Sequence, residues 1–167
     1  MTTPTTLHPA AMNLTKDFSL EELCRSQAAD RSGIDNTPDE TQLANLTALC
    51  VNVLQPLRDA LDGSIHVDSG FRNPMVNALV GGVSNSQHLE GKAADTVCSL
   101  STIDYARFIL NTGVEFDQMI LEFYSAEKGP HSGWVHISYN EGNNRKQVYT
   151  AKKNSGGRTV YLSGVVE

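Results

Sequence analysis

Positive charge is scarce in this chain. Its 167 residues hold 13 lysines and arginines against 19 aspartates and glutamates, a formal charge of −6, which argues against a sequence-blind grip on nucleic acid or on an anionic membrane. No run approaches the roughly 20 apolar residues of a membrane-spanning helix, so no membrane insertion is expected. Cysteine is sparse as well. Cys24, Cys50 and Cys98 are odd in number and form no CxxC, so neither a disulfide framework nor a thiolate zinc site is signalled, and all three read as buried apolar fillers. The opening residues lack the basic stretch and apolar core of a secretory signal, and synthesis in the cytoplasm is the expectation. Residues 1–12, aperiodic and rich in Thr and Pro, read as a disordered leader. Residues 13–167 show no repeat or linker that would divide them and read as a single domain.

What is present is a globular composition, 40% hydrophobic and 19% charged, at a length that can bury a core without cross-links. Ser19-Leu-Glu-Glu22 has capping-box spacing and opens a short surface helix. Thr37-Pro-Asp-Glu40 is a second start signal, with Thr37 as the cap. Behind it Leu43, Leu46, Cys50, Val53, Leu57 and Leu61 recur every three or four residues, which predicts the longest amphipathic helix, kinked at Pro56. Ile65 and Val67 alternate with polar residues as in a half-buried strand. Pro74 opens a short helix, residues 93–97 form a core strand, and Ser101 caps a helix that Gly113 ends. Residues 118–124 and 134–139 are β-rich runs, with two further strands over 147–150 and 158–162. Helices come first and strands later without βαβ alternation, which predicts an α+β fold, an antiparallel sheet packed against N-terminal helices.

The chemistry concentrates in Ser86-Gln-His88-Leu-Glu-Gly91-Lys-Ala-Ala-Asp95. A histidine on a loop, a glycine for a tight turn and small residues leading into a strand can bring one imidazole and one carboxylate to a common point. Such nitrogen and oxygen donors suit Zn²⁺, whose catalytic sites take three protein ligands and leave a fourth position open. A second segment, Trp134-Val-His136-Ile-Ser138, is an alternating strand with His136 on the face of Trp134 and Ser138. His8 and His66 have no supporting context, Glu90 and Glu127 read as solvated, and Lys152-Lys153 with Arg158 reads as a solvated turn.

The decapeptide matches SxHxxGxAxD and resembles the signature of the zinc D-alanyl-D-alanine carboxypeptidases, the M15 peptidases of the hedgehog/DD-peptidase fold. Ser69-Gly-Phe-Arg72 is similar to that family's SG[YF]R segment and Trp134-Val-His136 to its WxH segment, in the family's order. The resemblance implies that His88, Asp95 and His136 hold Zn²⁺, that Arg72 binds substrate, and that the substrate is a peptidoglycan stem peptide. The bond cut would be the terminal D-Ala-D-Ala bond or an internal L-Ala-D-Glu bond. The likeness is to the compact subfamily found in phages and prophages; with no secretory signal seen, a lysin released through a holin or carried on a virion is the expectation, and a monomer is expected. The alternative implied by the same fold is a non-catalytic, zinc-stabilised binding module.

Zinc with one carboxylate and two neutral imidazoles keeps a net charge of about +1, enough to acidify a water toward pKa about 7. A carboxylate base is then required. Much of the family carries an acid three positions before the last histidine, and here that position is Gly133. Glu122 is the expected substitute: an antiparallel register placing it opposite His136 would put both on one face with Cβ atoms about 4.5–5.5 Å apart. His131, on a loop, is the other candidate. Ser86 could hydrogen-bond substrate or a ligand side chain, and Asp68 could orient a ligand; both could equally be turn residues.

Overall fold

A computed structural model describes residues 12–167. His8, and all of the expected leader except Met12, lie outside the described residues. The chain runs α1 (Leu20–Cys24), α2 (Gln27–Ser32), α3 (Glu40–Leu49), a π-helical turn (Cys50–Leu54), α4 (Gln55–Leu61), β1 (Ile65–Ser69), α5 (Pro74–Leu79), β2 (Ala93–Cys98), α6 (Thr102–Thr112), β3 (Gln118–Glu122), β4 (Trp134–Ser138), β5 (Gln147–Lys153) and β6 (Thr159–Ser163).

Ser19 caps α1 by accepting the Glu22 amide, as its spacing predicts, but the helix is no surface element, because Leu20, Leu23 and Cys24 are all buried. At α3 the cap is Asp39, two residues beyond Thr37. Its carboxylate accepts the Gln42 amide at 2.7 Å while the Gln42 side chain accepts the Asp39 amide at 2.8 Å, a reciprocal box that satisfies two orphan donors. The Thr37 hydroxyl is instead spent on Asp35 at 2.6 Å. The expected long helix is interrupted ahead of its proline. The Gln55 amide reaches back to the Cys50 carbonyl, and this widened turn makes room for a Pro56 ring that would crowd the carbonyl four residues earlier in a regular helix. Pro56 itself falls in the first turn of α4.

The six strands form one sheet in the order β1-β2-β4-β3-β5-β6. It is mixed rather than wholly antiparallel, because β3 and β5 pair in parallel. The chain leaves β4, passes over β3 and returns as β5 on its far side, so β5 runs against β4 and therefore with β3. Strand alternation gives the sheet two chemically distinct faces. One face presents Ala94, Val135, Ile137, Met119 and Leu121 to a core shared with Leu46, Leu49, Leu57, Tyr105 and Ile109. The other carries Asp95, His136, Ile120, Glu122 and Tyr149 and lines an open cleft of about 880 Å³.

Candidate metal centre

Asp95 and His136 are direct cross-strand partners on β2 and β4, so their side chains rise side by side from the cleft face. His88 comes from the 3₁₀ turn Gln87–Glu90, whose cap is Ser86: its hydroxyl accepts the His88 amide at 3.2 Å. Helix α3 pins this turn, with Gln42 Nε2 donating to the Leu89 carbonyl at 3.1 Å and Asn45 Nδ2 to the Glu90 carbonyl at 2.8 Å. Gly91 closes it at φ +72°, and a Cβ there would come within 2.6 Å of the Gln42 carbonyl.

His88 Nδ1 lies 2.7 Å from the Gly70 carbonyl. A carbonyl only accepts, so Nδ1 carries the ring proton and, in the neutral ring, Nε2 is a bare lone pair. That lone pair faces Asp95 Oδ1 at 3.3 Å, and His136 Nδ1 stands 3.0 Å from the same oxygen. Two acceptors facing each other is a contact that a bound cation relieves. Burial lowers the pKa of His88 despite the attraction of Asp95, which favours the neutral, ligating ring. Burial opposes ionisation of Asp95 too, but the surrounding imidazoles, with the hydrogen bond from His136, outweigh it and hold the carboxyl below its usual range. One donor atom from each residue lies within 4.8 Å of the others, with the residues 2, 9 and 8% exposed in the order His88, Asp95, His136. Donor type, closeness and burial all fit a borderline-soft divalent metal such as zinc.

Arg72 reaches this cluster because β1 carries an irregularity that sets Ser69 opposite Asp95. Arg72 Nη2 lies 3.5 Å from Asp95 Oδ2, Nη1 donates to Asn77 Oδ1 at 3.3 Å, and Nε is buried without a partner. Glu122 is present as well, through a register different from the expected one. Glu122 pairs with Trp134, and His136 with Ile120. The offset is two residues, one full strand period, so Glu122 stays on the face of His136 as a diagonal neighbour. Its Oε1 lies 4.0 Å from His136 Nδ1. Burial, then the charge of Asp95, push the Glu122 carboxyl up to about 7, against the opposing pull of His136 and Arg72.

Position 133 has no room for an acid. Gly133 sits at φ +68°, and a Cβ there would run into the Glu122 carbonyl and the Tyr124 amide. This is the return of the β3–β4 connection, where Phe123 also takes a positive φ of 58°. Gly133→Ala is therefore expected to lower unfolding free energy by about 2–4 kcal/mol, from left-handed strain plus a collision with backbone. Denaturant titration checks this, and a change below about 0.5 kcal/mol would contradict it.

Among the other candidates, Ser86 caps the His88 turn and also lines the cleft. Asp68 holds no ligand: its carboxylate meets His66 Nε2 at 3.3 Å, and both side chains are exposed. His131 is exposed on the loop before Gly133 and is absent from the cleft lining. Cys24 and Cys50 are buried fillers, and desolvation pushes each thiol up to about 12. Cys98 is only half-buried, because β2 emerges from the core at its end. A buried polar hub escaped the motif reading. The Asp117 carboxylate takes Arg145 through Nε and Nη2, at 3.0 and 2.7 Å, and Gln87 Nε2 at 2.8 Å. The hydrogen bond from Arg145 leads the causes that lower the Asp117 pKa to about 2. Gln87 precedes His88, so this ion pair braces the metal-facing turn from behind.

The described residues thus form an α+β protein whose cleft holds a buried His-Asp-His group able to bind a metal, flanked by a carboxylate and an arginine. A family model for Peptidase M15 matches residues 16–138, well over half of the chain, and the protein belongs to that peptidase family. The match spans all three residues of the cluster as well as Arg72 and Glu122. No curated protein matches the chain.

Proposed function

We propose that the protein is a zinc peptidase of the hedgehog/DD-peptidase fold that cuts peptidoglycan stem peptides, at the D-Ala-D-Ala or the L-Ala-D-Glu bond, in the manner of a phage or prophage lysin. The observation that carries this is the convergence of His88, Asp95 and His136 with Glu122 and Arg72 on one cleft face. His88 Nε2, His136 Nδ1 and an Asp95 oxygen would hold the metal. Zinc, when bound, supplies Lewis acidity for the substrate carbonyl and acidifies a water molecule. Glu122 is the base: its carboxylate takes a proton from the attacking water and hands it to the departing amine nitrogen. Arg72, already oriented by Asn77, holds a substrate carboxylate or the developing oxyanion with its guanidinium fork. Ser86 caps the His88 turn and, lining the cleft, offers its hydroxyl hydrogen to substrate. The enzyme works as a monomer, made in the cytoplasm and reaching the wall through a holin or on a virion.

The test is mass spectrometry of muropeptides after incubating purified peptidoglycan with the protein, with and without a chelator. Release of peptide products that chelator abolishes and zinc restores is the expected result. Zinc-loaded protein that binds wall material and releases nothing would replace the peptidase reading with the binding module.

A further inference from the structure

A second cavity, of about 690 Å³, shares Arg72, Asp95 and Trp134 with the first and opens on the α1–α2 side of them. The substrate groove therefore continues past the metal cluster in both directions. The two arms differ in chemistry. Toward β5 and β6 the wall is mainly aromatic, with the rings of Tyr149 and Tyr161 6.5 Å apart and those of Phe123 and Trp134 at 5.5 Å, and its two cations are already engaged, Arg145 by Asp117 and Lys153 by Thr159 and the Phe123 ring. Toward α1 and α2 it is cationic: Arg25 and Arg31 join Arg72 in the lining, against only Asp68 and Asp95. Asp95 belongs to the metal cluster, and Asp68 Oδ1 lies 3.3 Å from His66 Nε2. Three guanidiniums on one cavity wall is a concentration of positive charge that the overall −6 makes conspicuous.

The local fold leaves both arginines outside any ion pair among the described residues, although the charge of Glu22 on α1 is felt at Arg25. Arg25 is the residue at which α1 ends in an extended conformation, immediately before Ser26 caps α2. Arg31 lies in the last turn of α2, where its one side-chain hydrogen bond is to neutral Gln27 Oε1, at 3.1 Å. Among the described residues neither has a carboxylate within salt-bridge distance, whereas Arg58, Arg107 and Arg145 each do. Both are exposed, so they stand ready in solvent rather than serving the core.

We infer that the Arg25–Arg31 arm is an anion subsite that receives a second carboxylate of the peptide substrate, separate from the group held by Arg72. This deepens the peptidase reading and rests on it for the identity of the ligand. The substrate is then an acidic peptide extending across the metal cluster, with one carboxylate in the cationic arm and less polar residues against the tyrosines. The carboxylate has two sources in a stem peptide, the C-terminus and the D-Glu side, and the two are separable by amidation.

The experiment is calorimetric binding of a stem pentapeptide to the zinc-loaded protein in the Glu122→Gln background, where hydrolysis does not consume the ligand. Arg25→Gln with Arg31→Gln is expected to weaken binding about fivefold, the scale of two solvent-exposed ion pairs, and to flatten its salt dependence. Amidating the carboxylate that occupies the arm weakens binding by the same factor in the parent and not further in the double variant. Both arginines are exposed and form no ion pair among the described residues, so the variant is expected to fold, which circular dichroism verifies. Equal affinity in the two proteins, or undiminished sensitivity to both amidations in the double variant, overturns the subsite. Because the readout is binding, a protein that passes this test yet cuts no peptide would overturn the peptidase reading alone.

Discussion

Replacing Glu122 by glutamine is expected to lower kcat on peptide substrate by about 10²- to 10⁴-fold, the usual contribution of a positioned general base, while the protein keeps its zinc. Among the described residues, Glu122 is the one carboxylate besides Asp95 that lines the cleft beside His136, and Asp95 is engaged by both histidines and Arg72. Gly133, the place where much of the family carries its acid, is closed to any side chain by backbone on both sides. Glutamine has the shape of glutamate and the Glu122 side chain is 18% exposed, so the substitution removes the proton acceptor without opening a cavity. Steady-state kinetics with zinc content measured on the same samples checks this. Activity within about threefold of the parent, with zinc at parent level, would remove Glu122 from the role, since a lost base costs far more.

Asp95→Asn is expected to have a still larger effect, abolishing both zinc retention and peptide release. Asparagine preserves size, but it withdraws the only anionic donor of the cluster. Loss of groups that merely orient a ligand typically weakens metal binding 10- to 100-fold, and loss of a charged ligand exceeds that. The substitution also leaves Arg72, whose side chain is 12% exposed, facing an amide in place of a carboxylate, and a guanidinium this enclosed is poorly compensated by a neutral partner. Competition for zinc against a chromophoric chelator measures the first effect, and the melting temperature of the metal-free variant measures the second. A variant that holds zinc as tightly as the parent would show that the cluster owes its geometry to packing and not to a metal.

The periodic and capped parts of this fold were legible from the residues alone. Ser19 and Ser101 cap helices as their spacing predicts, Pro74 opens its short helix, and each predicted strand has a counterpart within a few residues. The metal-facing trio was legible for a different reason: the turn at Gly91 and the strand around His136 only made a convergence of donors possible, and it was the resemblance of the SxHxxGxAxD and WxH segments to the M15 peptidases that singled out His88, Asp95 and His136. What escaped is non-local. The Glu122–Trp134 register depends on how Phe123 and Gly133 close the β3–β4 connection at positive φ, which hydrophobic alternation does not encode. The expected face was nevertheless right, because strands have a period of two and the register differs by two. The parallel pairing of β3 with β5 follows from a chain crossing that no local pattern announces. Gln87, Asp117 and Arg145 are common polar residues scattered over the chain, and only folding makes them one hydrogen-bonded unit.

The most direct test of the account is the metal itself. Metal-free protein equilibrated with zinc and freed of excess should carry one zinc per chain by elemental analysis, with His88→Ala and His136→Ala reduced to background. Retention of stoichiometric zinc by both variants, or none by the parent, would contradict the account at its centre.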